Sequence, residues 1–68
     1  MFTFIHGNFH VWQNESGQVM VSDESIKALN TYASMDAAVN ALYLMNLSTL
    51  RKLAREMNKA YKAYKATV

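Results

Sequence analysis

The sequence contains no cysteine and no proline, and it has only two glycines in 68 residues. Without thiols the chain can form no disulfide, no thiolate zinc site and no cysteine nucleophile, and this composition fits a reducing compartment. Because the only glycines are Gly7 and Gly17, there is no glycine-rich loop that could cradle a phosphate. These absences remove several families of enzyme chemistry.

Long hydrophobic runs are also missing. The longest apolar run covers residues 41–45, far short of the roughly 20 residues that span a bilayer. The first six residues, MFTFIH, contain no lysine or arginine and no extended apolar stretch, so the sequence predicts no signal peptide. We therefore expect a cytoplasmic protein that does not contact a membrane.

The length predicts one domain, residues 1–68, with a thin margin of stability. A chain of this size buries only about 60% of its unfolded surface, and small scaffolds gain from a partner subunit or another additional constraint. Hydrophobic residues make up 51% of the sequence and aromatic residues 12%. Since this is enough apolar material for a packed core, the composition excludes intrinsic disorder.

Residues 1–33 are predicted to form a β region. In residues 9–13, Phe9, Val11 and Gln13 alternate with His10 and Trp12, a period-2 pattern that suits a strand. Residues 14–17 have the composition of a turn, and residues 18–22 would form the returning strand of a hairpin. Gly7-Asn8 is a second turn or bulge signal, which makes residues 2–6 either the start of a bent strand or a separate strand.

Residues 23–33 allow two interpretations. Ser22 could cap a short helix that carries Ile26 and Leu29 on one face. We favour a loop followed by a third strand around residues 27–33, because Thr31-Tyr32 suits a strand and Ser34 begins a new element.

Two helices are predicted in the rest of the chain. Ser34 would cap an apolar helix at residues 34–46, with Asp36 in its first turn. Asn46 or Ser48 would cap a basic amphipathic helix at residues 48–66. The predicted fold is therefore α+β, with a small N-terminal antiparallel β-hairpin or three-stranded sheet packed by two C-terminal helices.

Charge is distributed unevenly along this architecture. Residues 1–46 carry a net charge of −3, whereas residues 47–68 carry six lysines and arginines against one glutamate, a net charge of +5. Cations are also good helix formers and favourable near a helix C-terminus, so a solvated helix face is the plain alternative to a binding surface. The expected partner-binding residues are Arg51, Lys52, Arg55, Lys59 and Lys62 of the second helix, together with Trp12.

These residues predict a non-enzymatic regulatory protein that binds a macromolecule, more readily a protein than a nucleic acid. The alternative is a nucleic-acid-binding module, in which the cations of the same helix contact phosphates and its tyrosines stack on bases. The sequence contains none of the common nucleic-acid-binding motifs. Its small size, lack of motifs and compact α+β patterning are what we expect of an accessory protein from a phage or mobile element.

A third hypothesis is a structural homodimer. Apolar residues recur at alternating three- and four-residue spacing along the second helix, and a copy of the same helix could cover them if the hairpin did not. The residues of this seam are Leu50, Leu53, Met57, Ala60 and Tyr64, and the dimer would form through Leu50, Leu53, Met57 and Tyr64. For Trp12 we expect a core position facing the helices, the alternative being an exposed aromatic patch with His10.

No catalytic, cofactor or metal site is predicted. His6 and His10 are four residues apart, but this spacing aligns two imidazoles on a metal only within a helix. The serines lack the strand–turn–helix setting of a nucleophile and suit caps and turns. The carboxylates of Glu15, Asp23, Glu24 and Asp36 fall in predicted turns and first helical turns, where acids are solvated, so we expect no buried acid–base pair.

Overall fold

The computed structural model describes residues 2–67, so Met1, the first residue of the predicted sheet region, lies outside the described residues. Four antiparallel strands precede two helices, which confirms the α+β class. The sheet has four strands, one more than the three-stranded sheet that the sequence predicts, and neighbouring strands in the sheet are also consecutive in the chain. The elements are β1 (Thr3–His6), β2 (Phe9–Gln13), β3 (Val19–Asp23), β4 (Ala28–Tyr32), α1 (Met35–Leu44) and α2 (Ser48–Ala66).

Tight turns separate the first three strands. Gly7 has a φ of +58°, a backbone conformation that glycine adopts without steric cost, and the turn it forms makes β1 a separate strand rather than part of a bent one. Between β2 and β3, the Asn14 side-chain oxygen accepts hydrogen bonds from the backbone N–H groups of Ser16 and Gln18, 3.1 and 3.0 Å away. Gly17 completes this turn with a φ of +91°.

Residues 23–33 adopt the predicted loop and strand rather than the short helix. The Asp23 carboxylate accepts hydrogen bonds from the backbone N–H of Ser25 at 3.0 Å and from its hydroxyl at 2.6 Å, which fixes the turn before β4. Lys27 ends the turn in the left-handed region, with a φ of +53°. Leu29 then lies in a strand, where its side chain remains 58% exposed.

The predicted cap of α1 is confirmed, whereas the predicted cap of α2 is wrong. The Ser34 hydroxyl accepts a hydrogen bond from the Ala37 N–H at 3.1 Å, and Asp36 lies in the first turn. At α2 the N-cap position is occupied by Leu47, which makes no side-chain capping bond, and Ser48 is already helical. Asn46 instead takes a left-handed conformation, with a φ of +57°, that turns the chain between the helices.

One core lies between one face of the sheet and the two helices. α1 contacts β4, α2 contacts β1, and the helices contact each other, so together they cover that face. The buried hydrophobic residues come from both layers: Phe2, Val11, Val19, Val21, Met35, Ala38, Leu42, Leu53, Ala54 and Met57. The other face of the sheet is not covered by either helix.

Candidate binding surfaces

The five predicted basic residues form one surface on α2, which we call the basic face: Arg51, Lys52, Arg55, Lys59 and Lys62. All five are exposed. At about 100° per residue, Arg51, Arg55 and Lys62 lie within about 40° of one another around the helix axis, and the other two lie beside them. The buried residues Leu53 and Met57 lie on the opposite side of the helix. The basic face therefore points away from the core, over about 16 Å of helix between its first and last residues.

Two cations of α2 make intramolecular contacts. The Arg51 Nε donates a hydrogen bond to the Tyr43 carbonyl oxygen at 3.3 Å, which joins the start of α2 to the last turn of α1. The Lys65 Nζ lies 5.6 Å from the ring centre of Tyr61, in cation–π range. Arg51 therefore has a structural role besides its charge. Substitutions of Arg55, Lys59 or Lys62 test binding without breaking this hydrogen bond.

The tyrosines of α2 face the sheet rather than the basic face. The rings of Tyr61 and Tyr64 pack edge-on against Phe2, with centroids 5.3 and 5.4 Å from its ring. Both are half-buried against the core. In this conformation both rings are partly buried in contact with Phe2, which limits the ring surface that could stack on nucleic-acid bases.

An exposed apolar cluster adjoins the N-terminal end of the basic face. Residues 43–47 contain four of the large hydrophobic side chains that are exposed in the described structure, namely Tyr43, Leu44, Met45 and Leu47. Leu44 is the most exposed of them, at 83%. The Leu47 carbonyl accepts a hydrogen bond from the Arg51 N–H at 2.9 Å, so this apolar cluster lies one helical turn before the first cation. The periodicity of the sequence does not predict this exposed cluster. Its residues continue the apolar pattern of α1, but the core covers only the earlier part of that helix.

The seam proposed for homodimerisation is not available at the surface. Leu53 and Met57 have no exposed surface, and Leu50 and Tyr64 are partly buried against the same core. A dimer through this helix would require that the seam be left open, but the core formed with the sheet and α1 covers it. The pairing through Leu50, Leu53, Met57 and Tyr64 is therefore corrected to intramolecular packing.

Trp12 lies on the uncovered face of the sheet, so the expectation that it faces the helices is wrong. Its neighbour Val11 is fully buried, and alternation along the strand directs Trp12 to the other side. There its ring lies 4.9 Å from the ring of His10, as in the alternative interpretation. The predicted binding residues thus belong to two surfaces on opposite sides of the molecule, with Trp12 on one and the basic face on the other.

The structure brings no two histidines together. His6 stacks on Phe4 on the helix side of the sheet, with ring centres 6.1 Å apart, whereas His10 lies on the open side. Within residues 2–67 no cluster of three histidine, cysteine or acidic residues could hold a metal ion. Two hollows of about 300 and 340 Å³ flank the Gly7-Asn8 turn, the first lined in part by His10 and the second by His6.

Burial raises the pKa of the Tyr32 phenol above its ordinary value of 10.0, because a partly buried phenolate is poorly solvated. The phenol packs against the core at the end of β4, away from the two hollows, and has a structural role there.

Of the helices described, neither is long and apolar enough to cross a membrane. Comparison of the chain with family models, with curated protein sequences and with solved structures finds no match. Function must therefore be argued from the two surfaces themselves.

Proposed function

We propose that this protein is a non-enzymatic regulator that binds an acidic protein surface through the basic face of α2, as an accessory protein of a phage or mobile element would. The observation that carries the proposal is the placement of five cations on one exposed side of a helix whose opposite side is the core. Complementary charge accelerates encounter and fixes the register of two protein surfaces.

A protein partner is favoured over a nucleic acid by what surrounds the cations. The apolar cluster at residues 43–47 adjoins Arg51, and aliphatic side chains gain free energy in an apolar protein pocket but gain little from a phosphate backbone. The tyrosines that could have stacked on bases pack on Phe2. A mixed surface of apolar anchors bordered by cations is typical of protein interfaces, in which a few anchor residues dominate the affinity.

The proposal is tested by matched charge reversals. Lys59→Glu changes the basic face, and Lys27→Glu makes the same change at the only lysine or arginine outside α2. We expect capture of the partner by the immobilised protein to be lost with Lys59→Glu, retained with Lys27→Glu and weakened by added salt. Thermal denaturation of both variants checks that they remain folded.

Two results would count against the proposal. Equal losses from the two variants would show that net charge, and not the basic face, governs binding. Micromolar binding of generic duplex DNA, falling steeply between about 50 and 200 mM salt, would instead support the nucleic-acid alternative.

A further inference from the structure

On the uncovered face of the sheet, the strands carry no lysine, arginine, aspartate or glutamate. Its outward positions form two rows across the four strands, Thr3, Trp12, Met20 and Thr31 in one row and Ile5, His10, Ser22 and Leu29 in the other. We call these eight residues the open face. None of the twelve lysine, arginine, aspartate and glutamate residues of the chain occupies one of these eight positions. Glu24 borders them in the turn after β3, where it lines a hollow together with Ile5 and His10. The solvated face of an antiparallel sheet is ordinarily polar, whereas here Ile5 is 69% exposed and Leu29 58% exposed.

We propose that the open face binds a second copy of this chain, forming a two-fold symmetric dimer in which the two sheets pack face to face. The order of residues in the rows is self-complementary. Consider a two-fold axis that runs parallel to the strands, midway between the two sheets and level with the gap between β2 and β3. This axis places β1 of one copy over β4 of the other, and β2 over β3.

That axis places apolar side chains opposite apolar ones, and polar side chains opposite polar ones, in both rows. Ile5 lies over Leu29 of the other copy, and Trp12 lies over Met20, a favourable contact between an aromatic ring and a thioether. Thr3 lies over Thr31 and His10 over Ser22, which are pairs of polar side chains. The observed twist of sheets would rotate the two sheets by about 30°, the common angle of aligned sheet packing.

Electrostatics favours this face over the helices for self-association. Two basic faces placed against each other would repel, because each carries five cations. Dimerisation through the open face instead leaves α2 on the outside of each copy, roughly 30 Å from its counterpart if each packed layer adds about 10 Å. This separation is about three Debye lengths at 0.1 M salt, so the repulsion is screened.

The size of the open face predicts a weak dimer. Four strands at about 4.8 Å and five residues at about 3.3 Å give a footprint of roughly 300 Å² for each copy. Standard stable interfaces bury about 800 Å² on each partner. We therefore expect an equilibrium between monomer and dimer in the micromolar to millimolar range, with Trp12 near its centre.

The experiment is sedimentation velocity over a concentration series, with the emission of Trp12, the only tryptophan, recorded in parallel. We expect the mass to rise from 7.7 kDa towards twice that value while the emission shifts to shorter wavelength. Leu29→Lys should raise the dissociation constant at least about tenfold, because it places an unpaired charge in the interface. Leu44→Lys is the matched control, since it makes the same change at an exposed leucine outside the open face.

The pairing geometry is tested by mixing two variants. Ile5→Lys and Leu29→Glu should each be monomeric alone, and an equimolar mixture should form a heterodimer because the new charges face each other across the two-fold axis. A monomer at every concentration up to about 1 mM would overturn the proposal. So would equal weakening by Leu44→Lys and Leu29→Lys, or a mixture that stays monomeric.

Discussion

Truncation of Leu53 tests whether the apolar side of α2 belongs to the core. Leu53 has no exposed surface, and it lies in the core cluster beside Ala54 and Met57. Replacing a buried leucine by alanine costs about 2–5 kcal/mol, because the transfer free energy is lost and a cavity remains. A domain of this length has a total stability of roughly 3–10 kcal/mol, at about 0.05–0.15 kcal/mol per residue. Leu53→Ala should therefore remove a large fraction of the free energy of unfolding.

The assay is urea denaturation followed by far-ultraviolet circular dichroism. With a loss of about 3 kcal/mol and a slope of about 1.5 kcal/mol per molar urea, the midpoint should fall by about 2 M. Leu44→Ala is the control, because that leucine is 83% exposed, and a surface truncation of this kind changes stability by less than about 0.5 kcal/mol.

The result also separates core packing from the seam dimer. If Leu53 were buried by a second copy, the loss of stability would depend on protein concentration, whereas a core residue gives the same loss at every concentration. A loss below about 1 kcal/mol, or one that matches Leu44→Ala, would refute the placement of Leu53 in the core.

Three further changes test local structure and are measured by the same denaturation assay. Ser34→Ala should lower stability by about 1 kcal/mol, because the Ala37 N–H loses its capping acceptor; an unchanged midpoint would argue against the cap. Gly17→Ala should destabilise by about 1–3 kcal/mol, because its φ of +91° strains any residue with a Cβ, and a stabilised variant would contradict this turn. The raised pKa of Tyr32 means that the unfolded chain loses its phenolic proton first, so its contribution to stability is constant below pH 10.0 and declines above it. Tyr32→Phe should reduce this decline at high pH, and an identical pH profile would contradict a raised pKa of Tyr32.

Local patterns predicted the elements well where the residues themselves determine them. The apolar period and the capping serine located α1, and the alternation of residues 9–13 located β2. The choice of a strand at residues 27–33 rather than a helix was also correct, since β4 covers Ala28–Tyr32. The predicted cap of α2 is wrong because Asn46 adopts a left-handed backbone conformation in the turn instead. Asparagine is common both in such turns and at helix caps, so its presence alone does not distinguish the two roles.

The placement of surfaces was harder to predict than the elements. Alternation shows that Trp12 and Val11 point in opposite directions, but it does not say which direction the helices cover. Val11 is buried under the helices, whereas the larger Trp12 lies on the uncovered face of the sheet. In the same way, the period of α2 predicts an apolar seam, yet whether a sheet or a second helix fills it depends on tertiary packing. Exposure of the basic residues did follow from the sequence, because they lie opposite the seam.

The most direct test of the central claim is fluorescence anisotropy of labelled poly-glutamate and of labelled duplex DNA, titrated with this protein at about 50 and 200 mM salt. Poly-glutamate supplies the acidic chemistry of the proposed protein partner. We expect it to bind at the lower salt concentration, to bind less at the higher one, and to lose binding with Lys59→Glu but not with Lys27→Glu, while duplex DNA shows no micromolar binding. Binding of poly-glutamate that ignores Lys59→Glu, or micromolar binding of DNA that falls steeply with salt, would contradict a basic face that recognises protein.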